Sequence, residues 1–397
     1  MKALLNTESL VPPLTGIGNY TYHLLQELTR LPQLEAVECF NTRGFSTAQA
    51  ALQACDAAQT QQSPREANGL RRALSALPLA YRLRETLRNG QLRLNARRYK
   101  DFIYHEPNII LKAHPGLSIA TVHDLSFVHH PHLHPPARVA WLNQQLPNTL
   151  ARADFLITDS ECVRQELIER FDVAPAKVRS VYLGADARFR PHSAAQTKAV
   201  LQVHDLQHGS YVLFVGTLEP RKGVDLLIDA WCSLPEPLRR DMPLVLAGGS
   251  GWHGEALQAR IAELTASHGL RHLKFVPAAD LPALYAGAGV FCYPSLYEGF
   301  GLPVLEAMSS GVPVLCSADT SMAEFTADST ALFERGSPEH LAERLQALLT
   351  DDSQRQTLAT AGLLRAKDFS WQRCAQQTAE IYRLVGQYSF ADTFGSA

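Results

Sequence analysis

Short apolar runs alternate with helical patterns along most of this chain. Lys2 to Asn6 reads as a buried strand, followed by a Pro/Gly-rich loop and a helix carrying Leu24, Leu28 and Leu31 on one face. Ile119 to Val122 and Phe155 to Thr158 are further strands, the second leading through Ser160, a helix N-cap, into a helix from Val163 to Phe171. Between Gly184 and Gly209 the pattern loosens. A fresh strand, Tyr211 to Val215, then opens a second series. Its helices fall at Val224 to Trp231, Glu255 to His268, Leu281 to Ala286 and Pro303 to Ser310, and its strands at Leu244 to Ala247, Leu273 to Val276, Val290 to Tyr293 and Val312 to Cys316. Helices follow from Glu339 onward. Pro303 suits a first helical position and Gly311 the residue past a helix end.

Continuous apolar strands alternating with amphipathic helices predict parallel sheets covered on both faces, an α/β doubly wound architecture. With 397 residues, 46% of them hydrophobic, the chain can bury two cores. The expected division is a Rossmann-like domain over 1–190, completed by a C-terminal helix over 372–397, and a second over 207–371. Two such domains facing one another would leave a cleft at the carboxyl ends of their strands, where this architecture binds ligands.

The net charge of −2 points to neither nucleic acid nor an anionic membrane as a general partner. Seven scattered cysteines without a C-x-x-C pair suggest neither a disulfide framework nor structural zinc, and fit a reducing compartment. The apolar run Met1 to Leu5 is too short for a signal peptide, and no run approaches the roughly 20 apolar residues of a spanning helix. A cytoplasmic location follows.

One segment breaks the alternation. Residues 65–100 hold nine arginines and Lys100 against Glu66 and Glu85, a net of +8 that leaves −10 for the rest, with leucines interleaved. Such a stretch suits peripheral attachment to the inner face of a membrane or the diphosphate of a lipid-linked acceptor. A solvated, arginine-rich helical face stands equally as the explanation.

The chemistry concentrates in four places. Glu298 to Glu306 follows a strand end and opens a helix, so a glycine-bearing loop offers N–H groups beside a positive helix end. Glu298 and Glu306 flank it, and carboxylates accept from the paired hydroxyls of a ribose or hexose. Gly216 to Gly223 follows the first strand of the second series and carries Arg221 and Lys222, cations able to stabilise a departing nucleoside diphosphate. An exposed Arg-Lys pair is the plain alternative. Gly16, Gly18 and Asn19 lie between the first strand and helix, where the backbone could approach a diphosphate; Thr21 stands where a dinucleotide fingerprint needs glycine. His123 ends a strand, with a satisfied core histidine as the alternative, and Asp124 beside it is a candidate to orient it or an acceptor hydroxyl. The run His129 to His134 has no nearby Cys or acid to complete a metal set and reads as a polar loop.

The spacing of Glu298 and Glu306 within EGFGLPVLEAMSSGVPV resembles the signature of the retaining GT-B glycosyltransferases of family four. This resemblance runs from the Gly16 loop to Trp371. It implies that Glu306 binds the ribose and Glu298 the donor sugar, that Phe300, Gly301 and Leu302 present N–H groups, and that Arg221 and Lys222 meet the phosphates with Gly216 in their loop. It implies that the Gly16–Gly18 loop closes over the donor phosphate and that His123 contacts the donor sugar or positions reacting groups. Asp186, and with it Ser160, are lesser candidates. No two aspartates lie two apart, so the Arg/Lys solution is expected in place of a metal, and no cofactor beyond the nucleotide sugar.

Tyr104 to Asn108 with His123-Asp124 looks most like bacterial mannosyl- or rhamnosyltransferases of surface-polysaccharide synthesis, including the O-antigen of lipopolysaccharide. The implied reaction is retaining transfer of a hexose from a GDP-linked donor to a hydroxyl of a glycan or lipid-linked glycan. An epimerase or hydrolase using the same donor, and a non-catalytic sugar-nucleotide-binding protein, are the rivals. A dehydrogenase is disfavoured by the failed fingerprint.

Overall fold

The computed structural model describes residues 1–42, 44–60, 94–249, 251 and 255–394, together with 86, 90 and 92. Most of the basic segment expected to act at 65–100 therefore lies outside the described residues. The chain forms two compact units: Met1–Pro131, Pro135–Leu183 and Trp371–Ala397 make one, and Gly184–Ser370 with His132–His134 make the other.

The first unit holds seven strands among the described residues: β1 (Lys2–Asn6), β2 (Ala36–Asn41), β3 (Gly44–Thr47), β4 (Ile103–Glu106), β5 (Ser118–Val122), β6 (Phe155–Thr158) and β7 (Val178–Ser180). They run in the order β3-β2-β1-β4-β5-β6-β7, all parallel except β3, which turns back on β2 at the edge. Helix α1 (Gly16–Leu28) buries Leu24, Leu25 and Leu28. It stops before Leu31, whose N–H returns to the Leu28 carbonyl at 3.2 Å. Helix α2 (Ala48–Thr60) follows β3, and helix α3 (Pro136–Arg152) follows β5. Helix α4 (Glu161–Phe171) begins two residues earlier than its apolar pattern predicts, because the Ser160 hydroxyl accepts from Val163 N–H and admits two polar residues to the first turn.

The last helix, α5 (Trp371–Phe394), belongs to the first unit. Trp371 stacks on His23 of α1 at 5.0 Å, and the Tyr382 hydroxyl reaches His105 Nδ1 at 2.7 Å. His105 Nε2 in turn pairs with Thr121, whose hydroxyl meets that of Tyr20. Burial lowers the His105 imidazole to about 3, so it serves as a neutral strut.

The second unit holds β8 (Val212–Val215), β9 (Leu244–Ala247), β10 (Arg271–Lys274), β11 (Val290–Tyr293), β12 (Val314–Ser317) and β13 (Ala331–Phe333), in the order β10-β9-β8-β11-β12-β13. All are parallel. Both sheets reverse their winding once, between β1 and β4 in the first and between β8 and β11 in the second. A reversal opens a crevice beyond the carboxyl ends of the two strands, because their crossover connections leave on opposite faces. Strand β10 pairs two residues earlier than its most apolar stretch, with Phe275 left half exposed.

Candidate functional site

At the reversal point of the second unit, the loop after β8 tightens into a 3-10 turn, Pro220–Lys222, closed by Gly223 at φ +66°. A Cβ on Gly223 would lie 2.2 Å from the Pro294 carbonyl oxygen, so only glycine brings this turn against the end of β11. That approach places Arg221 and Lys222 beside Glu298. The Lys222 ammonium donates to Glu298 Oε1 at 2.6 Å and to the Tyr293 hydroxyl at 2.8 Å. Arg221 Nη1 lies 3.4 Å from Glu298 Oε2, and its Nε pairs with Glu219 at 3.2 Å. Ser295 Oγ donates to Glu298 Oε1 at 2.5 Å.

All three charged groups are largely buried, Glu298 being 7% and Lys222 9% exposed. Burial by itself would raise the Glu298 carboxyl, but Lys222 and Arg221 together hold it below the usual carboxylate range. Burial, helped by Arg221 and opposed by Glu298, lowers the Lys222 ammonium. An exposed Arg-Lys pair is thereby excluded. The cluster is a preformed pair of cations on one carboxylate, held from three sides.

Gly301, at φ +108°, caps helix α6 (Leu302–Ser309). Pro303 brings no N–H, and Val304 N–H returns to Gly301 O at 2.9 Å, which concentrates the helix-start donors on the residues before Pro303. The Phe300 ring stacks on Phe325 at 4.6 Å and anchors the loop, while Ser321 Oγ holds the Glu298 carbonyl at 2.7 Å. Glu306, one turn on, accepts from the Tyr285 hydroxyl at 2.8 Å, and burial pushes its carboxyl up to about 7. Gly216, at φ +156°, ends β8 beside Tyr293. Asp186 pairs with Arg188 at 3.2 Å and accepts from the Arg188 N–H, and the charges of both reach Glu306.

In the first unit the structure corrects three readings. Gly16, Gly18 and Asn19 form the first turn of α1 and not a loop, because Thr15 caps the helix and accepts from Gly18 N–H. Gly18 is needed for packing: a Cβ there would stand 2.9 Å from the Ser9 carbonyl oxygen. Asp124 does not orient His123. Its Oδ1 accepts from Ser126 N–H and Oγ, while Asp159, at the end of β6, holds His123 Nδ1 at 2.7 Å. The histidine run follows the short helix Ser126–His129 as a connection holding one 3-10 turn, Pro131–Leu133, but it does have an acid beside it: His129 Nε2 lies 3.3 Å from Glu166.

His123 Nε2 meets the Pro107 carbonyl at 2.8 Å. Both ring nitrogens thus face acceptors, which a neutral imidazole can satisfy only once. Burial favours the neutral ring, yet Asp159 outweighs it and raises the imidazole above its ordinary value. Ser160 spends its hydroxyl on the α4 cap and is fully buried.

Sequence reading missed Glu219, Ser295, Tyr293 and Tyr285 in the second unit and Asp159 and Glu106 in the first. Glu219 stood in the same loop as Arg221, two residues away. For Tyr285 and Asp159, more than twenty residues from their partners, no local signal exists.

Two family models match the chain: Glycosyltransferase Family 4 over residues 14–189 and Glycosyl transferases group 1 over residues 202–365. O-antigen chain mannosyltransferase B of Escherichia coli is 36% identical over 97% of this chain and 100% of that one. The fold is similar to that of Anabaena Alr3699/HepE solved with UDP and glucose (TM-score 0.71, 18% identity, 96% of this chain and 99% of that one). It is also similar to that of WaaG, a glycosyltransferase involved in lipopolysaccharide biosynthesis (TM-score 0.68, 18% identity, 96% of this chain and 99% of that one). With doubly wound sheets in both units, an E-x7-E pair at the second reversal point and a relative matched from end to end, the chain belongs to the GT-B glycosyltransferases of family four.

Proposed function

We propose that this glycosyltransferase transfers mannose, with retention of configuration, from a GDP-linked donor to a hydroxyl of a growing surface glycan carried on a lipid. The observation that carries the reading is the buried cluster of Lys222, Arg221 and Glu298 at the end of β8. Two fixed cations suit a departing nucleoside diphosphate, whose charge grows as the sugar leaves. The mannose and the glycan are supported by the name of the Escherichia coli relative, an O-antigen chain mannosyltransferase.

In this reading Glu306 takes the ribose hydroxyls, Glu298 the sugar, and Gly301 and Leu302 offer N–H groups to it. Glu298 is already committed to two cations, which disfavours it as a covalent nucleophile and favours transfer on one face of the sugar. The bond from C1 to the diphosphate breaks, the acceptor oxygen bonds to C1 on the same face, and the acceptor proton passes to the departing phosphate oxygen. No metal is invoked. The net charge of +8 over residues 65–100 suits an anionic lipid surface or a lipid diphosphate and gives this enzyme a peripheral place at the inner membrane face.

The test is twofold. Thermal shift against GDP, UDP and their sugars identifies the donor, GDP-mannose being expected to raise the melting temperature most. Nucleotide release is then measured with and without a mannose-terminated acceptor. Release that ignores the acceptor would mean a hydrolase or epimerase, and binding without release a sugar-nucleotide-binding protein.

A further inference from the structure

The loop from Glu298 to Gly301 is held from behind by the connection between β12 and β13, through three grips within five residues. Ser321 Oγ donates to the Glu298 carbonyl at 2.7 Å and lies 3.4 Å from that of Phe300. Met322 fills the space beside Gly301, where a Cβ would stand 2.7 Å from Met322 Cγ. The Phe325 ring stacks on Phe300 at 4.6 Å. This connection does not fix its own shape. Its helix, Ala323–Thr326, is a single turn, too short to stand on its own bonds, and its last carbonyls find no partner within it. The chain leaves that turn through Ala327 at φ +42° and ψ −132°, a left-handed backbone that alanine adopts only when its surroundings impose it.

One of those surroundings lies outside the site. Arg365, on the helix Asp352–Ala366, donates from Nε to the Phe325 carbonyl at 3.0 Å and from Nη2 to the Glu324 carbonyl at 3.4 Å. Its Nη1 pairs with Asp368 at 2.9 Å, and the guanidinium lies 4.9 Å from the centre of the Phe369 ring. Phe369 meets Phe325 edge-on at 5.8 Å. The fork is fixed at all three nitrogens, and two of them hold the segment that holds the loop.

We propose that Arg365 is a positioning residue for sugar transfer: it fixes the segment 321–326, and through it the depth at which Glu298 and the Gly301 and Leu302 N–H groups stand toward the donor sugar. That the loop meets a sugar rests on the proposed function; that Arg365 holds the loop does not. A lysine at 365 brings one point charge on a flexible stem and takes one carbonyl at most, so the pair of carbonyls calls for a planar fork. A residue that only stabilised the fold would shift the melting temperature and leave kcat of the folded chain alone. A residue that sets the sugar loop lowers kcat and spares GDP, because Glu306, proposed for the ribose, is held by Tyr285 instead.

Arg365→Ala and Arg365→Lys are compared in the full chain with Arg355→Ala, a cation of the same helix whose bonds go to the Leu348 carbonyl and Asp352. Hydrogen exchange of a peptide covering 298–305 reads the loop with no ligand present. Nucleotide release from GDP-mannose, well below the melting temperature, reads transfer. In Arg365→Ala the expected result is exchange about tenfold faster and kcat about tenfold or more lower, with GDP affinity within about threefold of wild type. Arg365→Lys recovers part of both losses and Arg355→Ala moves neither. In a Ser321→Ala background, where the segment has lost its bond to the loop, Arg365→Ala adds little further loss. If Arg365→Ala does not fold, Arg365→Lys carries the same comparison. Wild-type exchange in the loop, equal effects from Arg355→Ala, or full additivity with Ser321→Ala overturns the proposal. Faster exchange in a chain that releases no GDP would keep the hold on the loop and sink the proposed function; a loosened loop with wild-type kcat would keep the function and sink the role of Arg365.

Discussion

The Lys222 ammonium sits 2.6 Å from Glu298 Oε1, joining the loop after β8 to the loop after β11 through two charges that are both buried. Neither loop is set by its own hydrogen bonds alone. The pair fixes where the cations lie before any donor arrives, so the site is organised in advance of its ligand.

Removing the Glu298 charge leaves the Lys222 ammonium buried beside Tyr293 with no carboxylate bonded to it. Glu298→Gln is expected to cost about 3 kcal/mol or more of stability, with a fall of roughly 6–12 °C in melting temperature, and to reduce kcat by about 10²–10³. Arg221→Ala should leave the fold closer to intact and give a comparable kinetic loss. Calorimetry and steady-state nucleotide release check both, and full activity in either variant would sink their roles.

Glu106 and Glu306 are each pushed up to about 7 by burial, above the ordinary 4.5. A raised carboxyl binds its proton more tightly in the folded state. Its contribution to stability is therefore full below about pH 4.5 and is lost as pH rises through about 7. Urea unfolding between pH 4.5 and 8 should show stability falling over that window, and the Glu106→Gln, Glu306→Gln double variant should flatten the slope.

If Glu306 receives ribose hydroxyls, its ionised form is the better acceptor. Nucleotide affinity should rise as pH passes through about 7 and lose that dependence in Glu306→Gln, as measured by calorimetric titration with GDP.

Asp159 is what raises the His123 imidazole against the effect of its burial. In Asp159→Asn the burial of the ring prevails, and the imidazole should titrate below its ordinary 6.5, whereas in the wild type it titrates above. Proton NMR of the His123 ring reads this directly; an unchanged titration would mean that Asp159 is not its partner in solution.

Two glycines separate backbone need from ligand need. Gly223→Ala forces a left-handed residue onto the Pro294 carbonyl and should cost at least about 2 kcal/mol. Gly16 has nothing within 4 Å of its would-be Cβ and lies in a helical first turn, so Gly16→Ala should be neutral or stabilising by up to about 1 kcal/mol. A loss of donor affinity in that variant, with stability kept, would assign Gly16 to the phosphate.

Much of this was legible in the chain. Strands Phe155–Thr158, Leu244–Ala247 and Val290–Tyr293 lie where their apolar runs end, because a strand covered on both faces must be apolar throughout. Gly311 lies past a helix end at φ +72°, as its position implies. Strand β4 escaped, since Ile103–Glu106 carries His105 and Glu106 into the core, and no apolar run marks it. The edge strand β3 and its neighbour β2 escaped because most of their residues are only half buried.

The sequence by itself determined the doubly wound class, the two series of strands, and the residue content of the Glu298–Glu306 and Gly216–Gly223 loops, all properties written in consecutive residues. Tertiary structure decided which groups meet. Lys222 and Glu298 are 76 residues apart, His123 and Asp159 36, and Asn6 and Glu106 100. Such pairs form only when parallel strands bring their carboxyl ends side by side, and burial there, which no local pattern records, then sets the charge each group carries.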